Sequence, residues 1–196
     1  SGIQEAHKYL APSIINTDSI SLLSDDLSTN DETTGGGHGT RVAGAVLYPK
    51  EIPTVGNYQL PCCIRNMRIL DRDNCLPEEV YPPRTIAIAV QKYNKDALIP
   101  TKIFNHSVGS HKACEMKHMT PWAAEIDYQS YNNDVLFIQA GGNISADVIS
   151  AYWQAGYPYP LYFDRELCRI SNPAQSLQAI TVGSVSSTDF ETDDVI

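Results

Sequence analysis

Three glycines, Gly35 to Gly37, stand directly before His38 in the stretch TTGGGHGTRV. Glycines are used where a backbone turns sharply or lets something approach closely, so a titratable ring at the end of such a run is a candidate for chemistry. The next residues, HGTRVAGAVLYP, read as a helix beginning at the histidine. Val42, Val46 and Leu47 fall on an apolar face, and Ala43 and Gly44 allow close packing. The positive end of a helix dipole favours the neutral ring, and a general base has to be neutral. A packed or solvated histidine in a glycine loop satisfies the same local pattern. A phosphate loop is a further reading, but the Lys–Ser/Thr pair that ends such loops is missing after these glycines.

Other polar residues stand where elements end. MRIL (67–70) is a short apolar run closed by the turn-like DRDN, and PPRTIAIAVQKYN opens on Pro82 and Pro83 with Ile86, Val90 and Tyr93 at helical spacing. KIFNHSVGS reads as a strand ending at Gly109, TPWAAEIDYQSY as a helix entered through Pro121, DVLFIQAGGN as a buried strand, and QAITVGSVSS as another. Strands alternating with helices predict an α/β protein with a mostly parallel sheet. In such sheets functional groups gather where strands give way to loops; His38, Gly109 and Asn143 all stand at element ends. By itself Asn143 is equally a turn residue after a buried strand. Residues 144–171, rich in Tyr, Trp and Pro, read as an ordered surface excursion.

Composition excludes several classes. The 196 residues are 42% hydrophobic and 19% charged, a globular balance, and the formal net charge of −9 argues against a phosphate-backbone partner. No apolar stretch is long enough to span a membrane. SGIQEAHKYL lacks the basic and apolar regions of a signal peptide. Five cysteines, an odd number with Cys62 and Cys63 adjacent, do not resemble a secreted disulfide framework, so a reducing, cytoplasmic setting is expected. One span, NHSVGSHKACEMKH, gathers His106, His111, Cys114 and His118, all potential zinc ligands, without the paired spacing of a strong metal motif.

Taken together, four segments resemble the subtilisin-like serine proteases, the subtilases. His38, Gly39, Thr40, Arg41, Val42, Ala43 and Gly44 are similar to the family's histidine signature, with Arg41 where the family usually has His. Ser107, Val108 and Gly109 in FNHSVG match the end of its substrate-binding strand. Gly142 and Asn143 in VLFIQAGGN match the glycine and asparagine of its oxyanion strand, and NPAQSLQAITVGSV resembles the strand after that. Order and rough spacing agree over nearly the whole chain.

The resemblance implies a three-layer α/β sandwich, subtilisin-like, and hydrolysis of peptide or protein substrates through an acyl-enzyme, with no cofactor and no metal. It implies His38 as general base, Asn143 as oxyanion donor, Ser107, Val108 and Gly109 as a strand edge for the substrate, and Ala140, Gly141 and Gly142 as the floor of a roomy pocket. Family triads run Asp, His, Ser. Ser1, Gly2, Ile3, His7 and Leu10 fit the part of the family's signature just after its aspartate, so that aspartate is expected immediately before Ser1; Asp18 and Asp31 lack the glycine in the right place. No Gly-Thr-Ser nucleophile signature occurs. Residues 1–196 are therefore expected to be the central part of one peptidase domain, truncated at both ends and inactive alone. A non-catalytic peptide-binding relative and a zinc protein remain as alternatives.

Overall fold

The protein, described here as a computed structural model over residues 1–34 and 36–184, divides into two compact units, Ser1–Pro100 and Thr101–Ile196. The last part of the expected strand QAITVGSVSS, residues 185–187, lies outside the described residues.

In the first unit a two-stranded parallel sheet joins β1 (Ile20–Ser21) to β2 (Met67–Arg68), with an isolated parallel bridge from Ile14 to Ile64. Helix α1 (His38–Leu47) starts at Gly37, whose φ of 65° is left-handed and suits glycine. Its buried stripe is Ala43 and Leu47, one turn apart: the expected Leu47 lies on it, whereas Val42 is half-buried and Val46 is 40% exposed. The reason is the partner. Ala43 and Leu47 form one cluster with Ile3 and Leu10, flanked by Ile14, Tyr48, Leu60 and Ile64, so the N-terminal segment selects the face. Helix α2 (Pro82–Val90) begins on prolines, which lose no bond at a first turn. It runs into a π-turn, Gln91–Lys95, that keeps Ile86, Val90 and Tyr93 all buried. The Tyr93 hydroxyl donates to the carbonyl of Asn66 at 2.8 Å.

MRIL contributes only two residues to the ladder, and one of them, Arg68, is fully buried. A buried guanidinium needs partners. Nη1 meets the Asp26 carboxylate at 3.0 Å and the Ser28 carbonyl at 3.0 Å, and Nε donates to the Leu70 carbonyl at 3.2 Å. Nearby, the Asn66 amide donates to the Thr29 carbonyl and to Glu5 Oε1, each at 2.8 Å. Strand β2 thus fixes the 26–30 loop.

In the second unit three parallel strands lie in the order β3 (Ile103–His106), β4 (Leu136–Ala140), β5 (Ile180–Val182). Helix α3 (Pro121–Asn133) enters through Pro121, is capped by Thr120 Oγ1 at the Ala123 N–H (3.3 Å), and buries Trp122, Ala123 and Ile126. Alternation along β4 buries Phe137 and Gln139. Phe104 stacks on Phe137 at 5.1 Å, and the His106 and Trp122 rings meet edge to face at 5.5 Å, so α3 covers this face. The strand expected to reach Gly109 leaves its ladder at His106. The excursion after Asn143 carries α4 (Ala146–Gln154), capped by Ser145, and two single turns, before Ser171 bridges back to Ala113.

Parallel ladders with packed helices make this an α/β protein of the expected kind. Because Leu47 carries the contact between α1 and the N-terminal segment, Leu47→Ala should cost about 2–5 kcal/mol. Urea unfolding should show a lowered midpoint.

Candidate active site

In the first unit the candidate base is built by three segments. Gly37 has no side chain to cap α1, and the cap arrives from a distance. Asp31, 5% exposed, accepts from the Thr40 N–H at 3.0 Å and the Thr40 hydroxyl at 3.2 Å through Oδ2, and from the Thr33 N–H at 3.3 Å through Oδ1. Burial works to raise its pKa; the bonds from Thr40 and Thr33 outweigh it and hold the carboxyl below its usual range. Oδ2 thus holds the helix start, and Oδ1 the Thr33 turn that precedes it. Asp18 is bound to Arg65 at 2.7 Å.

The N-terminal segment lies against that helix start. Gly39 N–H donates to Ser1 Oγ at 2.8 Å, and the same oxygen stands 3.2 Å from His38 Nδ1. Gln4 N–H donates to Thr40 Oγ1 at 3.0 Å, and its amide to the Asp31 carbonyl at 2.7 Å. Two glycines permit this. A Cβ at Gly39 would collide with the Gly2 carbonyl. At Gly2, with φ of 83°, a Cβ would stand 2.5 Å from the Asn30 oxygen and 2.6 Å from that of Thr29. His38 is half-buried; that burial first, then the Ser1 amino group and Arg41, with the Asp31 carboxylate partly opposing, hold its pKa below the ordinary value.

In the second unit the remaining candidates surround the ends of β3 and β4. Ser107 and Val108 are half-buried and Gly109 is exposed. Ser110 N–H donates to the Asn172 carbonyl at 2.7 Å, and a Cβ at Gly109 would stand 3.3 Å from that oxygen. Beyond Ala140, Gly141 donates to the Val182 carbonyl and accepts from the Ser171 N–H, both at 2.8 Å. Gly142, at φ 105°, lies where a side chain would run into Ser171. Asn143 comes next, exposed, two residues before the cap of α4.

The zinc alternative loses its geometry. His106 is buried beneath α3 with Nδ1 on Gln139 Oε1, His111 and His118 are exposed, and Cys114 is half-buried. Among the described residues no three His, Cys, Asp or Glu side chains gather as a metal site, and all five cysteines are free thiols. No helix among those residues is long and apolar enough to cross a membrane.

Sequence reasoning missed Ser1 as a neighbour of His38, Asp31 as its helix cap, and Gln139. Only Gln139 left a signal: it is the single polar residue in the run VLFIQA. The chain matches the model of the subtilase family over residues 1–192. No curated protein and no solved structure matches it.

Burial holds the pKa of His106 below its ordinary 6.5, against the bond to Gln139. Its contribution to stability is therefore complete above that value. It is lost as the pH falls below 6.5 towards the folded pKa, because the unfolded chain takes the proton first. Urea midpoints should fall on acidification across this window, and His106→Gln should flatten the fall.

Proposed function

The chain belongs to the subtilase family, a family of serine peptidases, and from that premise we propose that it supplies the base, the oxyanion donor and the substrate strand of a peptide-hydrolysing site. His38 takes the proton of a serine hydroxyl as that oxygen attacks the scissile carbonyl, and returns it to the leaving amine. The Asn143 amide donates to the oxygen on which negative charge develops. Ser107 to Gly109 offer backbone groups to an extended substrate, which adds as a strand. Ala140, Gly141 and Gly142 floor the pocket for the side chain before the scissile bond, and their small size suits a bulky apolar group. In the full-length protein the orienting aspartate immediately precedes Ser1, and the nucleophile stands in a Gly-Thr-Ser sequence outside residues 1–196.

One observation carries this reading. The Ser-Gly-Ile segment, which in the family's signature comes directly after the aspartate, lies on the start of α1 with Ser1 Oγ 3.2 Å from His38 Nδ1. A carboxylate one residue earlier in the chain has a short path to that nitrogen. Held there, it fixes the tautomer that leaves Nε2 as the base.

In the full-length protein, His38→Ala should lower kcat/KM for peptide substrates by about 10⁴-fold or more. Asn143→Ala should lower kcat by about 10²–10³-fold, a cost borrowed from the corresponding donor in subtilisin, and leave KM nearly unchanged. Steady-state kinetics on a fluorogenic peptide separate the two, and wild-type turnover by His38→Ala would overturn the assignment.

A further inference from the structure

Strand β3 leaves its ladder at His106, so the carbonyl of Val108 has no strand partner waiting for it, and a half-buried carbonyl left unpaired is costly. The group that meets it is a side chain. Gln139, fully buried on β4, donates through Nε2 to the Val108 carbonyl at 3.0 Å and to the Ala140 carbonyl at 3.0 Å. Its Oε1 lies on His106 Nδ1, the residue directly beside it in the parallel register.

The orientation of this amide is determined by its surroundings. With the nitrogen facing two carbonyls, only the oxygen can face the imidazole, so Nδ1 carries the proton and donates. Both amide hydrogens and the oxygen are then used. Swapping the amide would set an oxygen against two oxygens. The His106 ring is itself held in a T-shaped contact with Trp122 on α3.

We propose that Gln139 is a positioning residue for the substrate site: its one amide holds the 107–109 strand edge and the Ala140–Gly142 floor at a fixed separation, with His106 holding the amide. The inference rests on the peptidase reading given above. Nothing in this arrangement touches the reacting atoms. A peptide that adds along 107–109 and places a side chain over residues 140–142 has to meet both segments at once, and the separation of the two is what Gln139 sets. A small reagent that meets only the nucleophile has no such requirement.

Gln139→Met in the full-length protein keeps the volume and removes all three polar contacts. Two probes are compared on the same preparation: hydrolysis of a hexapeptide extending on the amino side of the scissile bond, and covalent labelling by a small phosphonofluoridate without a peptide. The hexapeptide KM should rise about tenfold with kcat within about threefold, and the labelling rate should stay within about twofold of wild type. His106→Met should raise KM in the same direction, and His106→Gln, which can still donate an N–H to Gln139 Oε1, should bring it back towards wild type. An unchanged KM in folded Gln139→Met, or an equal loss with both probes, overturns the positioning role and leaves the peptidase reading standing. If Gln139→Met does not fold, the His106 pair decides, and a wild-type KM in His106→Met overturns the role. A wild-type protein inert to both probes overturns the peptidase reading and this role with it.

Discussion

The carbonyl of Gly2 occupies the place where a side chain at residue 39 would stand. Because Gly39 has none, the N-terminal segment settles on the first turn of α1, Ser1 Oγ receives the Gly39 N–H, and His38 Nδ1 comes within 3.2 Å of that oxygen. Everything proposed for His38 depends on this approach of two backbones. The surrounding structure serves it in layers. Ile3 and Leu10 pack on Ala43 and Leu47, Asp31 caps the helix whose own start is glycine, and Asn66 and Arg68 of the β2 segment hold the 26–30 loop that receives Gly2. The buried Arg68 is a costly way to fix a loop, since its charge is desolvated. Its partners, one carboxylate and two carbonyls, offset that cost and brace a segment that has no ladder of its own.

The second unit solves a different problem by the same rule. Loops that carry function leave backbone groups without ladder partners, and each buried one has to be met. Gly141 meets strand β5 on one side and Ser171 on the other, the Ser110 N–H meets Asn172, and Val108 meets the amide of Gln139. Asn143 is left exposed at the end of this chain of bonds. The 144–171 excursion starts and finishes at the same place, since Ser171 lies against Gly142.

Much of this is legible in local sequence. The prolines at α2 and α3, the glycine-led start of α1, the parallel strand–helix grammar and the four family segments all arise where period and turn chemistry act over a few residues. The illegible part depends on residues far apart. Periodicity assigns the apolar face of α1 to Val42, Val46 and Leu47; Ile3 and Leu10 keep Leu47 and take Ala43 in place of Val46. His106 reads as a possible ligand beside His111 and Cys114; strand alternation turns it under α3 instead. The early end of β3 is accommodated by a side chain 31 residues away. Asp31 carries no mark in the sequence of the bond it makes to Thr40, because a glycine loop separates them. In each case the deciding contact joins elements that local pattern treats one at a time.

The central claim is that His38 activates a serine for acyl transfer. A fluorophosphonate probe on the full-length protein, followed by proteolysis and mass spectrometric mapping of the adduct, tests it most directly. The account predicts a single modified serine, in a Gly-Thr-Ser sequence outside residues 1–196, and no adduct when His38 is replaced by Ala. No adduct on the wild-type protein, or a serine that remains equally reactive in His38→Ala, would contradict it.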